Sequence, residues 1–289
     1  MTAEAVLDKT LVPFRAVRDD QITIWCMHRS RSALARARLM RCSRRQSVWP
    51  EPAEHLIANE DDRVSFVLRD LPEQVAPQII EKLSRSETAT IGHRRQQGFA
   101  DRALQCIMPG RRVAGTAVTL ALPGQDSTLL HHVLGLLRPG DVLVIDRMGD
   151  DKHACMGGGV AVAAKAAGAV AAVVDGPCTD FSEIRAEDFP IWCRGSAPIT
   201  TRLLGIGGAF NTAISCGGAS VNPGDAVVAD ESGVLFLPPD AAEAAADWAL
   251  AKQAAEPGIH ERLRAGEKFG DISGATKMVL ANLASSKTV

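Results

Sequence analysis

The stretch VVDGPCTDFSEIR, Val173 to Arg185, carries two acids at positions where chemistry is feasible. A short apolar run ends at Asp175, turns on Gly176-Pro177 and restarts at Thr179-Asp180 as a helix start. Asp180, with Glu183 three residues on, has the spacing of a capping box, and helix capping alone accounts for the pair. A hard cation is the alternative. Mg²⁺ takes one or two carboxylates, keeps several waters and accepts the substrate's own oxygens. Spacing leaves both readings open. Asp175 reads simply as a turn residue at a strand end, and Cys178 as a buried small residue with no Cys/His arrangement around it.

The second chemical stretch is DRMGDDKHACMGGGVAVAAKAAG, Asp146 to Gly168. Gly157, Gly158 and Gly159 open a helix directly after a polar loop. Bare N–H groups and the positive end of a helix dipole would receive a carboxylate or phosphate. Close packing of the helix on a sheet is the competing reading. No GK[ST] follows, and GxGxxG spacing is absent, so neither a Walker loop nor a dinucleotide fold is indicated. His153 has no acid–base partner identifiable in the sequence. His131 and His132 fall on an ordinary helix, and Asp230-Glu231 read as turn chemistry.

These residues need elements to hold them. Helical spacing puts Val75, Ile79, Ile80 and Leu83 on one face of a helix running on toward Ile91. RRVAGTAVTLAL reads as a strand with an irregularity at Gly115, STLLHHVLGLL as a short helix, and VLVID as a buried strand. GGGVAVAAKAAG is a small-residue helix stopped at Gly168, AVAAVVD another buried strand, and DFSEIRAED a short helix. Strand–helix–strand–helix–strand from 112 to 180 predicts parallel crossover units. Residues 189–238 add antiparallel strands, including a hairpin around Ser232-Gly233, and helix closes the chain. The expectation is a three-layer α/β domain with mixed sheets over residues 71–289. Residues 1–70 read as an N-terminal extension in which His28–Gln46 packs seven Arg with no acid. That segment would suit phosphates, or would form a solvated arm.

Composition narrows the classes. A 289-residue chain with 46% hydrophobic and 23% charged residues is a globular protein with a sizeable core. A net charge of −2 provides no field for nucleic acid or an anionic membrane, and the absence of Tyr argues against a base-stacking platform. Seven cysteines with no CxxC pair fit reduced thiols in the cytoplasm rather than a disulfide framework or structural zinc. No apolar run reaches the ~18 residues of a membrane span.

Taken in order, ETATI, RVAGTAVTL, RPGDVLVID, ACMGGGVAVAAKAAG, AAVVDGPCTDFSEI, FPIWCRGSAP and GGASVNPGDAVVADESGVLFLP resemble the RraA-like family over residues ~75–240. That family includes class II 4-hydroxy-4-methyl-2-oxoglutarate aldolases and ribonuclease regulators. The resemblance implies an α/β/β sandwich assembled as a homotrimer or homohexamer with sites between subunits. It implies a divalent metal, Mg²⁺ or Mn²⁺, on Asp180, and a small 2-oxo acid whose carboxylate lies on the amides of Gly157, Gly158, Gly159 and Val160. The implied chemistry is retro-aldol cleavage of a 4-hydroxy-2-oxo acid, or decarboxylation of oxaloacetate, releasing pyruvate. Asp150 or Asp151 is then the candidate base, although both also read as a solvated acidic loop. The family's substrate-binding Arg is here Thr179, which has a hydroxyl but no charge. Arg147, Lys152, His153 or Arg194 is the candidate replacement cation, with Arg147 and Lys152 foremost because they share the glycine loop. The alternative is a non-catalytic regulatory protein that has lost aldolase activity with that Arg.

Overall fold

The computed structural model describes residues 66–286, so the basic segment 28–46 lies outside the described residues. In chain order the elements are β1 (Phe66–Leu68), α1 (Pro77–Arg85), α2 (Thr88–Gly92), β2 (Gln105–Cys106), β3 (Val113–Ala121), α3 (Thr128–Val133) and β4 (Asp141–Asp146). There follow β5 (His153–Ala154), α4 (Gly158–Ala166), β6 (Ala171–Asp175), α5 (Phe181–Ala186), β7 (Ile191–Cys193), β8 (Ile199–Thr200) and β9 (Gly208–Phe210). The chain closes with β10 (Ile214–Cys216), β11 (Ala219–Val221), β12 (Ala226–Asp230), β13 (Gly233–Leu237), α6 (Pro239–Arg264), α7 (Phe269–Ser273) and α8 (Ala275–Ser286). β1 lies N-terminal to Leu71 and already belongs to the sheet, through parallel pairing with β9.

The main sheet runs β1-β9-β3-β4-β6-β7-β2, with β12 and β13 joined through β3. β3, β4, β6 and β7 are parallel neighbours, as the crossover pattern requires. Their alternate residues face opposite ways. Val118, Leu120, Leu143, Ile145, Ala172 and Val174 pack under α3, α4 and α5. Ala117, Val142, Val144, Ala171 and Val173 meet the second β layer, built from Ile214, Cys216, Val221, Val227 and Phe236. The architecture is thus α/β/β with mixed strands. The far face of β12–β13, through Val228, Leu235 and Leu237, is covered by α1, α2 and α6.

Two local departures have physical causes. The helix expected to run to Ile91 breaks at Ser86-Glu87, because the Thr88 amide and hydroxyl bond to the carboxylate of buried Asp230 at 2.9 and 2.5 Å. At Gly115 the strand itself continues. A Cβ there would sit 2.6 Å from the Gly140 carbonyl oxygen, so the glycine permits close approach rather than a bulge. Among the described residues no helix is long and apolar enough to cross a membrane.

Candidate active site

Parallel pairing of β4 with β6 sets Asp146 opposite Asp175 at the strand ends, and the following loops converge there. The turn after β6 carries Asp180 into α5. Asp180 takes the left-handed conformation, φ 53°, and its side chain does not cap α5. The capping-box expectation therefore fails. The carboxylate turns instead toward the start of α4, where Oδ2 accepts the Gly158 amide at 3.3 Å while Oδ1 accepts the Thr179 hydroxyl at 3.2 Å.

The glycines explain this approach. A Cβ on Gly157 would lie 2.5 Å from Asp180 Oδ2 and 2.8 Å from Thr179 Cγ2. A Cβ on Gly158 would collide with the Glu183 side chain, whereas one on Gly159 would meet nothing within 4 Å. Two of the three glycines thus admit the acidic turn, and the third borders open space. The Ala161 amide begins the helical ladder on Gly157 O. The amides of Gly158, Gly159 and Val160 precede that ladder. The Gly158 amide is directed at Asp180, and those of Gly159 and Val160 are not used by the ladder.

Asp180 is exposed. Among the described residues no cluster of three or more His, Cys, Asp or Glu is arranged to hold a metal. The donor set fits a hard ion held by one carboxylate and otherwise by water and substrate oxygens; it does not fit zinc or another metal needing a full protein cage.

Asp150 and His153, readable separately in the sequence, form a pair. Asp150 Oδ1 accepts the Lys152 and His153 amides, both at 2.9 Å, and Oδ2 lies 2.8 Å from His153 Nδ1. Burial works to raise the Asp150 carboxyl, but these hydrogen bonds outweigh it and hold the group down at about 2. Asp150 is therefore ionised at neutral pH and is a weak base. The neighbouring Asp151 is exposed.

Arg147, a candidate replacement cation, is fully buried. Its Nη2 donates to the carbonyls of Gly124 and His153, and its stem fills the space that a Cβ on Gly176 would need. Nε and Nη1 have no partner among the described residues. Arg194 pairs with Asp175, which also accepts the Gly217 amide at 2.7 Å, so neither is free for a ligand. Lys152 is exposed. Cys178 is buried, as expected; its hydrogen bond to Cys193 and its burial push the thiol well above the ordinary range, which leaves it unreactive.

Residues 77–236 match the family model described as RraA-like, Aldolase/RraA. A Halalkalibacterium halodurans protein named "Putative 4-hydroxy-4-methyl-2-oxoglutarate aldolase" is 38% identical over 143 residues, covering 50% of this chain and 68% of that protein. A Dechloromonas aromatica protein of the same name is 35% identical over 122 residues, 42% of this chain and 74% of that one. The crystal structure of Streptomyces coelicolor RraAS2, described as an unusual member of the RNase ES inhibitor RraA protein family, superposes with a TM-score of 0.59 at 27% identity. That match covers 65% of this chain and 98% of that one.

Proposed function

The chain belongs to the RraA-like family, and on that premise we propose that it is a divalent-metal-dependent lyase that releases pyruvate from a 2-oxo acid. The substrate is a 4-hydroxy-2-oxo acid, oxaloacetate, or both. The observation that carries this reading is the exposed Asp180 carboxylate set against the glycine-opened start of α4. Relatives named as aldolases support the lyase class.

In this reading the amides of Gly159 and Val160 hold the substrate carboxylate, aided by the α4 dipole. Asp180 holds Mg²⁺ or Mn²⁺. A bound cation would supply Lewis acidity at the C2 carbonyl. Thr179 presents a hydroxyl beside Asp180 in place of a guanidinium and so orients without adding charge. The protein acts in the cytoplasm as a homotrimer or homohexamer. Exposed Leu203, Leu204 and Ile206, with β1 at the sheet edge, support association.

Pyruvate release from 4-hydroxy-2-oxo acids and oxaloacetate, with added Mg²⁺ or Mn²⁺, tests the reading. Activity is expected to vanish with EDTA and in Asp180→Ala; turnover surviving both would refute the metal role. Thr179 and the likeness to RraAS2 favour a second reading, a non-catalytic regulator of a ribonuclease. Ribonuclease inhibition by a protein inert toward both acids would establish it.

A further inference from the structure

We infer that Glu183 is the second carboxylate of the cation site and that it makes the cation bind before the substrate, an inference that rests on the metal-dependent reading above. In the sequence Glu183 closes the D-x-x-E box that Asp180 opens. Neither half of a capping box forms. Asp180 leaves α5 without a side-chain cap. The Glu183 carboxylate has no hydrogen-bond donor among the described residues, so it does not return to the Asp180 amide.

Both side chains turn instead onto the two residues that open α4. A Cβ on Gly157 would lie 2.5 Å from Asp180 Oδ2. One on Gly158 would strike Glu183 Oε2 and lie 2.9 Å from Glu183 Cβ. Because the Gly158 amide also bonds Asp180 Oδ2 at 3.3 Å, the two carboxylate oxygens lie within about 8 Å of each other. Both residues are exposed. The cations of the surrounding elements are engaged elsewhere. Arg185, the one basic residue of α5, donates Nε to the Ile107 carbonyl at 2.9 Å and lies over the Phe181 ring. Lys165, in the last turn of α4, donates to the Glu187 carbonyl. Arg147 donates to the Gly124 and His153 carbonyls, and Arg194 pairs with Asp175.

Charge decides what this pair does. The start of α4 offers roughly half a positive charge, which two carboxylates outweigh. A substrate carboxylate approaching the Gly159 and Val160 amides would therefore meet net repulsion. Asp180 and Glu183 together balance one divalent ion, and a hard ion needs few protein oxygens because it keeps much of its water. The two carboxylates have to be neutralised before the amides can accept a substrate anion, so binding is ordered.

Calorimetric titration of Mn²⁺ into the full chain, with no substrate present, tests this without relying on turnover. Glu183→Gln keeps the length of the side chain and removes its charge. It is expected to weaken Mn²⁺ binding about tenfold, the effect of one unit charge facing a divalent ion about 6 Å away in water. The deficit should shrink as salt is raised. An acid that merely favoured the start of α5 would change the melting temperature and leave Mn²⁺ affinity as it was. Wild-type Mn²⁺ binding matched by Glu183→Gln therefore overturns the inference while the metal-dependent reading stands. A wild-type chain that binds no Mn²⁺ overturns that reading and this one with it. Pyruvate is expected to bind the wild type only once Mn²⁺ has been added; equal affinity with and without the ion overturns the binding order.

Discussion

Replacing Gly157 by Ala tests whether the acidic turn must press against the start of α4. The new Cβ would lie 2.5 Å from Asp180 Oδ2 and 2.8 Å from Thr179 Cγ2, against ordinary contacts of 3.4–4 Å. Gly157 has φ −135°, a conformation open to alanine, so backbone strain does not enter. The carboxylate must retreat by about 1 Å, and a displacement of that size at a reacting centre costs about 10²-fold in rate. The bond from the Gly158 amide, already 3.3 Å, is lost with it. Folding should suffer little, because the clashes fall on the ends of exposed Asp180 and half-buried Thr179, side chains that can rotate away. Gly159→Ala is the control: its Cβ meets nothing within 4 Å, and alanine in the first helical turn should stabilise by about 0.5–1 kcal/mol. Mn²⁺ affinity by calorimetry, pyruvate release and thermal unfolding would be measured on all three proteins. The expected pattern for Gly157→Ala is weaker Mn²⁺ binding and about 10²-fold slower turnover at nearly unchanged melting temperature. Wild-type affinity and turnover in Gly157→Ala would refute the claim that these glycines exist to admit Asp180.

Thr179→Arg restores a guanidinium beside Asp180 and is expected to raise retro-aldol turnover, by up to about 10²-fold if it acts as an oxyanion donor; steady-state kinetics would show no gain if the charge already comes from elsewhere. Asp150 has a folded-state value of about 2 against an ordinary 3.8, so its ion favours the folded state. That contribution is full above about pH 4 and is lost as pH falls toward 2. Asp150→Asn should flatten the acid limb of stability against pH in denaturation curves. Asp126 is fully buried and accepts Thr128 N, Thr128 Oγ1, Leu204 N and Ile206 N at 2.6–3.0 Å. Asp126→Ala strands those donors and should lower the unfolding free energy by about 3 kcal/mol, measured in urea.

The parallel strands were legible because their signal is local. Continuous apolar runs such as VLVID and AAVVD, separated by small-residue helices, admit little besides buried crossover strands. The glycine opening and the DGPCTD turn were also visible as places where backbone and carboxylate matter. That Thr179 stands where the family carries Arg is what the family resemblance implies, not residue spacing. What those groups touch was decided by tertiary structure. Asp180 has the spacing of a cap yet abandons α5, because its left-handed backbone aims the carboxylate across the gap at α4. Arg147, a loop cation by sequence, is buried because the missing side chain of Gly176 leaves room for its stem. His153 gains Asp150 only because the loop folds back through two amide bonds onto one carboxylate oxygen. Contacts of this kind depend on backbone direction and on the space beside a residue, and neither is encoded in spacing along the chain.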